Sequence, residues 1–134
     1  MSSQYKFEIS LEFIGTGKIV KGHMERISSP LTIQQLIDNS PLTARSRGNI
    51  GTPKSFWMIF IDIKRGLERK EYTDYQIGDI LYCPRQDAMF IVYADKPKIT
   101  LPVVYLGKVI EGLEHFLDMR NGTMVKIQMT DISS

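Results

Sequence analysis

Metal and thiol chemistry have little to work with in this chain. Its 134 residues include one cysteine and two histidines. The lone Cys83 excludes an intramolecular disulfide and suits a reducing compartment. It stands in an apolar run with no histidine or lysine close by, so an inert, buried thiol is expected. His23 and His115 are isolated from each other and have no companions at metal-ligand spacing, so they are read as surface histidines and no metal site is expected. Charge of one sign is also missing. The 17 basic and 15 acidic side chains leave a net charge of +2, too little to make nucleic acid a favoured partner. No apolar run approaches the roughly 20 residues of a membrane helix, so no membrane partner is expected. Ser2-Ser3-Gln4 leads directly into an alternating strand instead of a signal peptide, and a cytoplasmic protein is the expectation. There is no G-x-S-x-G elbow, zinc motif or dinucleotide fingerprint, so no cofactor is expected. Gly15-Thr16-Gly17-Lys18 lacks the spacing of a phosphate loop and reads as a hairpin turn. Asp62, Asp79 and Asp87 are spaced like turn residues, not like an acid and base pair.

What is present is strand pattern. A hydrophobic content of 43% is enough for one packed core, and the length fits one domain over residues 1–134. Phe7, Ile9, Leu11 and Phe13 alternate with polar neighbours, the period of a strand buried on one face. Lys18 to Glu25 returns antiparallel, with Gly22 marking a bulge or a close backbone approach. Ser28 to Pro41 reads as a helix with Pro30 in its first turn and an apolar stripe of Ile33, Leu36 and Ile37. Its cap is Ser29, or Thr32 with Gln35 completing a capping box. Leu42 to Arg47 is a short strand. Phe56 to Ile61 is wholly apolar and should be a central strand covered on both faces.

Lys64 to Glu71 mixes both signs and reads as a solvated loop. Ile80 to Cys83 and Ala88 to Ala94 form a strand pair, and the proline-bearing Asp95 to Pro102 is a loop suited to lining a cleft. Val103 to Ile110 is a further strand. After Gly112, Leu113, Phe116 and Leu117 repeat at helical spacing, Asn121-Gly122 stops that pattern, and Val125, Ile127 and Met129 alternate again. Short strands at this spacing point to a barrel or sandwich with the two short helices capping its open ends. Closure would remove most strand edges, so strand-swapped assembly is not required and the oligomeric state stays open.

The string Leu106-Gly107-Lys108-Val109-Ile110-Glu111-Gly112-Leu113 resembles the cyclophilin string Phe-Gly-Lys-Val-x-Glu-Gly-Met, and the order of elements around it is similar. Gly78-Asp79, the strand Ala88 to Tyr93, Leu106 to Val109 and Pro41-Leu42-Thr43-Ala44 also resemble pieces of a small cyclophilin-like family of uncharacterised bacterial and archaeal proteins. The resemblance implies a mainly β fold, a closed eight-stranded barrel with two short capping helices. It also implies site positions. Arg45 is the counterpart of the arginine that cyclophilins carry on the third strand, Met58 matches their methionine, and Phe90 falls at the proline-pocket phenylalanine. Phe60 stands where those enzymes have glutamine, and their pocket tryptophan and histidine have no equivalents between Lys96 and Leu106.

Two functions follow as expectations. The first is a binding protein with a cleft on the barrel, lined from Arg45, Trp57, Met58, Phe60, Tyr82, Phe90 and Tyr105, that takes a small molecule or a proline-containing peptide. The second is peptidyl-prolyl isomerisation, with Arg45 polarising the prolyl amide. Binding ranks first because it survives the loss of the histidine and tryptophan.

Overall fold

A computed structural model describes residues 5–95 and 97–132. Ser2-Ser3-Gln4, and Lys96 in the Asp95 to Pro102 loop, lie outside the described residues. Eight strands form one closed barrel: β1 (Lys6–Phe13), β2 (Lys18–Glu25), β3 (Leu42–Gly48), β4 (Phe56–Ile59), β5 (Asp79–Cys83), β6 (Ala88–Val92), β7 (Val104–Glu111) and β8 (Met124–Asp131). Around the barrel they run β1-β2-β7-β5-β6-β4-β3-β8, every neighbouring pair antiparallel. The expected closed, eight-stranded architecture is what the chain adopts. No helix among the described residues is long and apolar enough to cross a membrane.

The alternation of β1 has a direct physical result. Phe7, Ile9, Leu11 and Phe13 all point inward and are buried, while Glu12 on the other face is exposed. Leu11 sits opposite Val20 of β2 and Ile127 of β8, so three strands deliver apolar side chains to one interior. Ile59, Ile80, Ile91 and Leu106 fill it from the other side. Each such side chain, fully buried, contributes about 1.5–3 kcal/mol of transfer free energy.

Strands β4, β5 and β6 are buried at every position. Their inward residues join the interior. Their outward residues, Phe56, Met58, Leu81, Cys83, Phe90 and Val92, form a second apolar cluster outside the barrel, covered by Ile99, Leu101 and Val103 and by Tyr72 and Tyr75. Burial pushes the Cys83 thiol up from its ordinary range, which keeps it protonated and unreactive.

The helices depart from expectation. One α-helix forms, α1 (Pro30–Asn39), and the segment expected as the second helix is a five-residue 3-10 turn, Leu113–Leu117. Gly112 enters it with φ 85, and the tight His115 N–H to Gly112 carbonyl bond (3.0 Å) swings Phe116 over the barrel end against the Phe13 ring. Only Phe116 of the turn is buried, too little apolar contact to support two turns of α-helix in so short a span. A second short 3-10 turn, Arg26–Ser28, precedes α1. Neither expected cap serves α1. The Ser29 hydroxyl instead donates to the Tyr105 carbonyl at 2.8 Å. The Glu68 carboxylate, from the loop expected to be merely solvated, accepts the N–H groups of Leu31 (3.0 Å) and Thr32 (2.7 Å).

The glycines of the resembling string are structural. β2 and β7 approach so closely that a Cβ on Gly107 would run into the His23 carbonyl, and one on Gly22 would lie 2.8 Å from the Lys108 carbonyl oxygen. The β2–β7 register shifts between Lys21 and Gly22 at the same place, so Gly22 is both a bulge position and a close approach. Lys108 faces Asp79 in the β5–β7 register and bonds it at 3.0 Å, while Val109 N–H donates to the Gly78 carbonyl at 2.7 Å. Gly78-Asp79 and Gly107-Lys108-Val109, far apart in sequence, are thus two halves of one strand junction.

Candidate functional site on the barrel wall

A cleft of about 170 Å³ opens on the outer apolar cluster. Its floor comes from strand alternation. Met58 sits opposite Phe90 in the β4–β6 register, both side chains point outward, and the Phe56 and Phe90 rings lie 4.8 Å apart. One rim is β3, where Arg47 stands opposite Met58 and places its guanidinium 5.6 Å from the centre of the Phe60 ring. The other rim is the segment from Lys98 to Leu101, with Gln86 at one end. Arg47 and Lys98 are the charged groups among the ten residues lining the cleft, and none of the ten is acidic. The site therefore offers an apolar floor, two cationic rims and the neutral polar groups of Gln86 and Thr100.

Asn49 holds the end of β3 and the start of β4 together. Its Oδ1 accepts from the Ser55 (2.8 Å) and Phe56 (3.2 Å) N–H groups, and its Nδ2 donates to the Pro53 carbonyl at 3.1 Å. The side chain is buried, so these bonds are shielded from water and fix the turn that carries Ile50 and Phe56 to the cleft.

The residues nominated from sequence do not share one site. Met58 and Phe90 form the cleft floor, and Phe60 borders it beneath Arg47. Trp57 and Tyr82 point into the barrel interior, on the opposite face of the same strands, so one cleft cannot be lined by both sets. Tyr82 instead ties two loops together, its hydroxyl donating to Asp87 Oδ1 at 2.7 Å and accepting from the Arg65 N–H at 3.1 Å. Burial and the Asp87 carboxylate raise its pKa well above the ordinary tyrosine value, so it stays a neutral donor. Tyr105 belongs to the outer cluster but lies beside Tyr72, their ring centres 5.2 Å apart, in a separate open depression.

Arg45 is exposed on β3 opposite Met124 of β8, its carbonyl accepting the Phe60 N–H at 2.9 Å. It does not line the cleft, and Arg47, one strand period further on, does. Sequence reasoning passed over Arg47 and Gln86, whereas Lys98 to Leu101 come from the Asp95 to Pro102 loop that was expected to line a cleft. The signal for Arg47 was its alternation with Arg45, which puts both arginines on one face, but only the β3–β4 register selects between them.

Beneath the wall, buried Asp79 receives Lys108 Nζ at 3.0 Å, the Tyr72 hydroxyl at 2.9 Å and the Gln76 N–H at 2.7 Å. Burial, then the Asp79 carboxylate, raise the Tyr72 phenol well above its ordinary value. This carboxylate is held by three donors and serves as a structural anchor. The described residues hold no group of three or more His, Cys, Asp or Glu side chains able to bind a metal.

The arrangement defines a closed, eight-stranded antiparallel β-barrel with one α-helix and short 3-10 turns. It is similar to a hypothetical protein from Archaeoglobus fulgidus whose solution structure matches with a TM-score of 0.76, covering 96% of this chain and 98% of that one at 13% sequence identity. A likeness at that identity concerns the fold alone. No family model and no curated protein matches the chain.

Proposed function

We propose that the protein is a cyclophilin-like binding module whose wall cleft takes one ring-sized apolar group of a small molecule or of an extended, proline-containing peptide. The observation that carries this reading is Arg47 standing opposite Met58 at the edge of a floor made with Phe90. A volume of about 170 Å³ suits a single inserted group more than a whole drug-sized ligand, whose pockets run to roughly 300–1,000 Å³. The rest of such a ligand lies across the rims, where Arg47 and Lys98 donate to carbonyl or carboxylate oxygens. A thermal-shift screen of metabolites and proline-containing peptides tests it. A ligand present at 100 times its Kd stabilises the fold by about 2.7 kcal/mol. The expected result is stabilisation of wild type and of Arg45→Ala, and none of Arg47→Ala. A ligand that stabilises all three proteins equally removes the cleft from the proposal.

The same arginine supports a second reading, prolyl isomerisation, with Arg47 in the role that sequence alone gave to Arg45. Donation from the guanidinium to the prolyl nitrogen weakens amide resonance and lowers a rotation barrier of about 18–20 kcal/mol, while Met58 and Phe90 hold the ring. Isomerisation of a proline-containing peptide, followed with and without micromolar protein, decides it. Acceleration lost in Arg47→Ala supports the activity, and no acceleration by wild type ends it.

A further inference from the structure

The barrel end beneath the 3-10 turn carries a larger pocket, about 390 Å³, that shares no lining residue with the wall cleft. One side of it is aromatic. The Tyr93 and Phe116 rings lie nearly parallel, 6.4 Å apart at 16°, and Trp57 meets Phe116 at 6.4 Å. Gly48 helps keep the space open, since a Cβ there would lie 3.1 Å from Trp57 Cζ3. The charged groups of the lining are all cationic. Lys54 and Arg120 bring two positive charges, no acidic residue lines the pocket, and among the described residues neither cation is in an ion pair. Lys54 Nζ spends one hydrogen bond on the Asn49 carbonyl at 2.6 Å, which leaves further donors on the ammonium. Asn121 Oδ1 accepts the Gly48 N–H at 2.9 Å, so the Asn121 amide has its NH₂ left to offer. Trp57 is 5% exposed, and its indole Nε1–H is buried with no acceptor among the described residues. Buried donors are rarely left unmatched.

We propose that this pocket binds a small organic anion built on one flat ring. The ring packs against Tyr93, Phe116 and Trp57, and its carboxylate or phosphate sits between Lys54 and Arg120. Stacking and cation contact then act on one ligand, and a neutral ring or a bare anion gains only half of the interaction. This proposal stands apart from the wall cleft and does not depend on it.

Trp57 is the single tryptophan of the chain, so its fluorescence reports on the pocket directly. Titration of the full chain with benzoate and phenyl phosphate is expected to give a saturable change, and the neutral isostere benzamide to bind at least tenfold more weakly. The stronger of the two anions identifies the head group. Arg120→Gln is expected to weaken the anion at least tenfold, and Lys126→Gln, which removes an exposed cation from β8, to leave it unchanged. If Arg120→Gln fails to fold, Lys54→Gln gives the same reading. No saturable change at millimolar anion, equal binding of benzamide, or full affinity in both the Arg120 and Lys54 variants overturns the proposal.

Discussion

Along β1, β2 and β8 the outer face of the barrel meets solvent, whereas along β4, β5 and β6 it lies under a cover of chain from residues 99–103 and the tyrosines Tyr72 and Tyr75. The first wall is written as alternation and the second as unbroken apolar runs. The difference teaches where a ligand can enter. A solvated outer face has polar side chains and no concavity, while a covered one has an apolar floor that stays accessible wherever the cover does not quite close. The wall cleft is that gap.

The largest effect that tests this contrast compares outward positions on the two walls. Phe90→Ala is expected to destabilise the fold by about 3–5 kcal/mol, and Glu12→Ala by no more than about 0.5 kcal/mol. Urea midpoints at constant m-value measure both, and similar losses would mean that the covered face is not a second core. A smaller effect separates the ion pairs. Asp79→Asn, which leaves Lys108, Tyr72 and Gln76 facing a weaker acceptor, is expected to cost about 2 kcal/mol. Glu8→Gln on the open wall, whose contact with Lys21 is 4.0 Å long and part-exposed, should cost under about 0.5 kcal/mol in the same denaturation assay.

The last contrast concerns Glu68, whose expected loss is below that of Asp79→Asn. Burial raises its pKa, but the hydrogen bonds from Thr32 and Leu31 outweigh that and hold the carboxyl below its ordinary value. A group whose pKa is lowered in the folded state stabilises above its unfolded pKa, and the benefit fades as pH falls through the folded value. Glu68→Ala is therefore expected to lose about 1 kcal/mol near pH 7, with the gap to wild type narrowing below the ordinary glutamate pKa of about 4.3. Thermal melts across that range check the sign.

The open wall was legible in the sequence because one-sided burial imposes a period of two on residues such as Ile9 and Leu11. The covered wall was legible as central strands, but what covers it was not. Apolar runs like Ala88 to Val92 look the same whether helices, loops or another subunit lie on them. The site was half legible for a related reason. Alternation sets Met58 and Phe90 apart from Trp57 and Tyr82, yet choosing Arg47 over Arg45 needs the pairing of β3 with β4, a long-range fact. Glu68 capping α1 is equally non-local. The spacing of Leu113, Phe116 and Leu117 suits both a 3-10 turn and an α-helix at that length, so the pattern alone could not decide.

The seam that completes the barrel joins β1 to β8, with Phe7 opposite Asp131 and Phe13 opposite Val125. Segments from opposite ends of the chain must therefore meet before the cylinder is whole. Their entropy of approach is spent before the contacts that reward it have formed. Such a topology places this molecule among slow folders, on a scale of roughly milliseconds to seconds.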